Sequence, residues 1–150
     1  MTAYASRGTA YFDRREFSKA IADYNAAISI DSHIPMYFSD RGNTRYAMGD
    51  YQSAIADYNR AIEINPDYSK AYARRGWAFL YLDELAKAEA DFGKALKLAP
   101  ADAYAQSGRA EVYRRQNKPD PEERSTGLSF DNLRRIVEQP SEAAAKKDHP

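Results

Sequence analysis

The sequence predicts an all-α solenoid of stacked helix–turn–helix units, and three observations predict it. Gly8, Gly42 and Gly76 stand 34 residues apart, as do Ala20, Ala54 and Ala88, the aromatics Tyr24, Tyr58 and Phe92, and Ala27, Ala61 and Ala95. The segment AIADYNAAISI (20–30) returns as AIADYNRAIEI (54–64) and, more loosely, as AEADFGKALKL (88–98). Within each unit apolar residues recur three and four apart, which is the period of an amphipathic helix. A fixed period of this length marks an array in which each unit buries its apolar face on its neighbours, and such arrays serve recognition.

Each element follows from local chemistry. In the first unit one helix is expected from about Ala3 to Asp13 and a second from about Glu16 to Ile30, with apolar stripes Tyr4, Gly8, Tyr11, Phe12 and Phe17, Ala20, Ile21, Tyr24, Ala27, Ile28. The polar corner Asp13-Arg14-Arg15 separates them. In the second unit the corner is Met48-Gly49-Asp50, where Gly49 can take the left-handed conformation that ends a helix. A mid-helix glycine costs about 1 kcal/mol relative to alanine, so its repetition implies close backbone packing, with Tyr24, Tyr58 and Phe92 filling space between units. Asn65-Pro66 and Ala99-Pro100 close the second helices of units two and three; unit one has Asp31-Ser32 there, with Pro35 following. The units fall at about 1–34, 35–68 and 69–102, and a fourth first helix spans about Ala103–Gln116.

The repeat then stops. Asn117-Lys118-Pro119-Asp120-Pro121 breaks the chain, because two prolines so close together preclude a helix interior. In the segment 117–139, Ser129 reads as the N-cap of a helix from about Phe130 to Gln139 with the stripe Phe130, Leu133, Ile136, Val137. This helix either caps the stack or docks on a second copy or into a groove. Residues 140–150 are expected to be a disordered tail.

The pattern resembles the tetratricopeptide repeat, a 34-residue helix–turn–helix with a small residue and aromatics in its first helix, an alanine and an aromatic in its second, and a closing proline. The resemblance covers about residues 2–116. It implies a right-handed solenoid of three repeats plus a C-terminal capping region. One departure is consistent: arginine (Arg7, Arg41, Arg75) stands where the family has a hydrophobic residue before the glycine. Asp23, Asp57 and Asp91 recur at the same period, so an Arg–Asp ladder between successive units is expected, for example Asp23 with Arg41.

The resemblance also implies that first helices line a concave groove holding an extended peptide or a partner helix. Residues outside the packed stripes then face it: Ala5, Ser6, Thr9, Phe12 and Asp13; Ser39, Asp40, Asn43, Tyr46 and Ala47; Lys70, Ala73, Arg74, Trp77, Leu80 and Tyr81; Tyr104, Ser107, Glu111, Arg114 and Arg115. The expected peptide-binding residues are Asn43, Tyr46, Lys70, Arg74, Trp77, Tyr81 and Arg114. Lys70, Arg74 and Trp77 follow one another by about a turn, a basic pair beside an indole that suits a carboxylate and an apolar side chain. The alternative reading is that Trp77 packs between units as core. Asn43 offers an amide for a ligand's backbone. Some family members hold acidic chaperone tails with a five-residue carboxylate clamp. Lys70 and Arg74 match its last two positions, whereas Ala5, Thr9 and Asp40 do not, and Asp40 would repel a carboxylate.

Composition bounds the rest. Of 150 residues, 22 are basic and 22 acidic, and the sequence pI is about 6.7, which argues against nucleic-acid or anionic-membrane partners despite Arg114, Arg115, Arg134 and Arg135. There is no cysteine, so disulfides and thiolate metal sites are excluded. His33 and His149 lie far apart in sequence, and no phosphate loop or catalytic motif appears, so neither catalysis, cofactor nor metal is expected. With no apolar run of membrane length, a cytoplasmic location is the default, a removed signal peptide aside. The expected function is a protein–protein interaction scaffold. The alternative is a self-assembly module, a fragment of a longer repeat protein or a homodimer through the first repeat or the C-terminal helix.

Overall fold

The computed structural model describes residues 1–121, and among them are seven helices and no strand: α1 (Ala3–Asp13), α2 (Phe17–Ile30), α3 (Pro35–Ala47), α4 (Tyr51–Ile64), α5 (Ser69–Tyr81), α6 (Leu85–Leu98) and α7 (Ala103–Arg115). The helix expected over 130–139 and the tail 140–150 lie outside the described residues. Two compact units divide the chain, Met1–Val112 and Tyr113–Pro150. In the first, helices pair as α1 with α2, α3 with α4 and α5 with α6; each pair meets the next, and the first helices α1, α3 and α5 also touch in succession.

The repeated glycines do what their spacing implies. A Cβ on Gly8 would stand 2.9 Å from the Tyr24 ring, one on Gly42 2.8 Å from Tyr58, and one on Gly76 2.9 Å from Phe92. Tyr24, Tyr58 and Phe92 are fully buried, so each ring occupies the space that a side chain on its glycine would need. Phe92 is held from both sides, since a Cβ on Gly108 of α7 would meet it at 2.2 Å. Phe92 thereby joins units, together with Leu80, Ala105 and Val112.

The corners repeat a conformation that the residue types conceal. Arg15, Gly49 and Asp83 have φ of 61°, 80° and 59°, and Asn117, in the second unit, has 54°. Each precedes an amide that bonds back into the helix just ended: Glu16 N–H to Tyr11 O, Asp50 to Arg45, Glu84 to Phe79 and Lys118 to Tyr113. This six-to-one bond satisfies end carbonyls and turns the chain, and it demands a left-handed residue. Only Gly49 meets that demand without a Cβ. Elsewhere helices start on local caps: the Thr2 hydroxyl accepts from Ala5 N–H, Asp50 accepts from Ser53 N–H, and Asp102 accepts from Tyr104 and Ala105 N–H.

The Arg–Asp ladder exists, but its rungs lie within units rather than between them. Arg7 grips Asp23 through two bonds of 2.8 Å, and Arg75 grips Asp91 through two of 2.7 Å. Arg41 and Arg45 share Asp57. The expected partner of Arg41 was Asp23; it instead reaches back to the Asn25 side-chain carbonyl at 2.8 Å, as Arg75 does to Asn59. A guanidinium on a first helix thus faces second helices on both sides, 16 residues ahead to a carboxylate and 16 behind to an amide. The link between units is the neutral amide, and the charge is satisfied inside the unit.

Candidate peptide-binding face

The face formed by the first helices collects most of the expected binding residues within Met1–Val112. Tyr46 of α3 packs edge-on against Tyr51 and Tyr81, at 5.3 and 5.8 Å between ring centroids. Tyr51 and Tyr81 stack in parallel at 5.1 Å. Trp77 continues the row, 6.3 Å from Tyr81, 5.8 Å from Phe92 and 5.6 Å from Tyr104. Aromatic side chains present rigid contact area at low entropic cost. Tyr81 and Tyr104 remain 54% and 42% exposed, which leaves an unburied aromatic edge at this end of the row. Burial and the neighbouring Tyr104 and Tyr81 phenols push the Tyr46 hydroxyl far above the ordinary tyrosine range, so it stays a neutral donor.

The basic pair borders this row. Lys70 and Arg74 line a cleft of about 400 Å³ whose other walls are Ser69, Ala73, Tyr104 and the loop Ala99–Asp102. The Arg74 guanidinium lies over the Tyr104 ring, 5.7 Å from its centre. Asp40 of α3 is half-buried, and burial pushes its carboxyl up to about 6 against the opposing pull of Arg74 and Lys70. Burial likewise raises the Tyr58 and Tyr104 hydroxyls, against Arg74 in both cases.

Several expected groove residues belong to the core. Ala5, Ser39, Ala73 and Leu80 are at most 2% exposed. They sit where a first helix meets its neighbours: Ala5 packs with Ala27 and Tyr37, and Ala73 and Leu80 pack with Phe92. Trp77 is half-buried, and its indole N–H donates to the Tyr104 carbonyl at 3.1 Å, so it braces α5 against α7 while exposing part of its ring. Asn43 already accepts a bond from the Tyr58 hydroxyl at 2.9 Å, which leaves its amide N–H groups for any ligand. Arg114 lies in the last turn of α7, outside the unit that holds the other site residues.

The sequence reading missed Tyr51, and it placed Tyr104 on this face without singling it out. A signal for Tyr51 existed. Phe12 and Phe17 flank the first corner as Tyr46 and Tyr51 flank the second, and both pairs are in ring contact. No metal-holding cluster of acidic or histidine side chains occurs among the described residues, and none of their helices is long and apolar enough to cross a membrane.

Three family models match the chain: one described as TPR repeat over residues 42–83, and two as tetratricopeptide repeat over 69–102 and 2–33. Among curated protein sequences none matches it. Similar solved structures include the first TPR of Spaghetti (RPAP3) bound to the HSP90 peptide SRMEEVD, 26% identical with a TM-score of 0.74 over 77% of this chain and 91% of that one. The second TPR domain of human RPAP3, in complex with the HSP70 peptide SGPTIEEVD, is 29% identical with a TM-score of 0.70 over 73% and 92%. The Sgt2 TPR domain from Aspergillus fumigatus is 28% identical with a TM-score of 0.72 over 92% and 83%. With the repeat length, the glycine–aromatic packing and the first-helix face all in agreement, this chain belongs to the tetratricopeptide repeat family.

Proposed function

We propose that this chain is a non-catalytic adaptor whose first-helix face binds an extended peptide or a helix from another protein. The observation that carries this reading is the aromatic row Tyr46–Tyr51–Tyr81–Trp77–Tyr104, exposed at Tyr81 and Tyr104 and ending beside the Lys70/Arg74 cleft. Aromatic rings and arginine are the groups that dominate binding energy when a partner excludes water from them. The similar RPAP3 domains hold peptides that end in acidic sequence, which supports a peptide as the ligand class. The site would comprise Asn43, Tyr46, Lys70, Arg74, Trp77 and Tyr81; Arg114 belongs to the other compact unit and is not counted in it.

A peptide library selected on the wild-type chain and re-tested on Arg74→Ala and Tyr81→Ala checks this. Both variants should lose at least tenfold in affinity, about 1.4 kcal/mol, with unchanged helical circular dichroism. Undiminished binding by both would move the site off this face.

A second reading, self-association, is favoured by apolar exposure on the first unit. Met1 is 78% and Tyr4 43% exposed, whereas Phe38, at the position of Tyr4 one repeat later, is 8% exposed and packs with Ala61 and Ala71.

A further inference from the structure

Asp40 differs from the three repeated carboxylates that sit between helices, Asp23, Asp57 and Asp91. Asp23, Asp57 and Asp91 are each met by an arginine at 2.7 or 2.8 Å. Asp40 is half-buried, yet among the described residues no cation reaches it at ion-pair distance. The groups that act on it or feel it across the face are Lys70 and Arg74 of α5 and the hydroxyls of Tyr24 (α2), Tyr58 (α4) and Tyr68. Arg74 is also committed to the Tyr104 ring and lines the cleft with Lys70. The face therefore presents two unlike sites side by side, a basic pair and a half-buried carboxylate that no cation among the described residues meets at ion-pair distance. A partly buried charge with no close counter-ion discriminates between partners, because a like charge brought against it is costly.

We infer that Asp40 makes this face select a mixed-charge peptide, in which an anionic group held by Lys70 and Arg74 is accompanied by a lysine or arginine held against Asp40, over a purely acidic one. The inference rests on the peptide-binding reading above. A purely acidic segment meets the same basic pair but brings a like charge to Asp40.

The test uses the full chain, wild type and Asp40→Asn, with three fluorescent peptides: the acidic SGPTIEEVD and its single-lysine forms SGPTIKEVD and SGPTKEEVD. At pH 7.5 the wild type should bind the better lysine peptide roughly tenfold more tightly than the acidic one, and Asp40→Asn should abolish or invert that ratio. Near pH 5, where Asp40 gains its proton, the wild type should lose the preference while Asp40→Asn stays unchanged. Binding of all three peptides with the same ratios in both proteins overturns the role of Asp40 and leaves the peptide-binding face standing. No binding of any peptide to either protein overturns both. A wild-type preference for SGPTIEEVD overturns the inference alone.

Discussion

Asp40 shows how one residue type at one repeat position changes what a shared scaffold can do. The equivalent positions carry Ser6, Arg74 and Gly108, so the same place on successive first helices is polar, acidic, basic and vacant in turn. At the fourth, the missing side chain is what lets Phe92 seat against α7. At the second, a carboxylate is held at a cost to the fold. Its pKa rises from an ordinary 3.8 to about 6, so between those values the folded chain binds a proton that the unfolded chain releases. Stability from this group is therefore fully present at low pH and is lost as pH rises through about 6. Asp40→Asn should be more stable than wild type at pH 7 and equal to it near pH 4. Melting temperatures of both proteins across that range decide the matter: parallel curves would mean that Asp40 is solvated and strains nothing.

At the scale of elements, the ladder and the corners differ in how far residue identity betrays them. The period of arginine and aspartate announced an ion-pair system, but sequence spacing alone does not say whether a first helix faces the second helix before it or after it. Both are true here, and the 16-residue offset in each direction divides the work between Asp and Asn. The corners hide better. Gly49 signals a left-handed residue, while Arg15 and Asp83 adopt the same conformation with no compositional sign, because the six-to-one bond imposes it. The rungs also differ in depth. The Arg7 side chain is 58% exposed and Arg75 only 20%, while their carboxylates Asp23 and Asp91 are equally buried, each 7% exposed. The bond from Arg7 holds Asp23 below the usual carboxylate range, whereas burial outweighs Arg75 and lifts Asp91 above it. Removing the deeper cation strands a carboxylate that is 7% exposed. Arg75→Ala should therefore cost about 1–3 kcal/mol in urea unfolding, with part recovered by adding Asp91→Asn. Arg7→Ala should cost less, because water can replace the guanidinium. Equal losses would place the two rungs in the same environment.

For the molecule as a whole, what was legible is what the repeat must satisfy three times over. Gly8, Tyr24, Ala27 and their copies carry one packing problem and one answer, so helix order and pairing could be read before any coordinates. The candidate face was half legible. Lys70, Arg74 and Tyr81 show themselves by type, but Ala5, Ser39 and Leu80 look like face residues and are core, since a first helix packed against several neighbours buries a wider face than one stripe. Tyr51 belongs to a second helix and joins the row by meeting Tyr46 edge-on across the corner and stacking on Tyr81 of the next unit. The same reasoning bears on association. Where α3 follows α2, Ile28 packs against the cluster around Phe38. On α1 the corresponding Tyr4 is exposed beside Met1, and Arg7 lies over its ring at 5.7 Å. Covering such a ring with a second copy would return roughly 1.5–3 kcal/mol per side chain before the cost of association, enough for weak dimers only. Sedimentation of the wild type should therefore show mass rising with concentration in the high micromolar range. Tyr4→Glu should stay monomeric throughout, while keeping its affinity for peptides bound at Lys70 and Arg74. A wild type that remains monomeric at millimolar concentration eliminates self-association through α1 and leaves the adaptor reading alone.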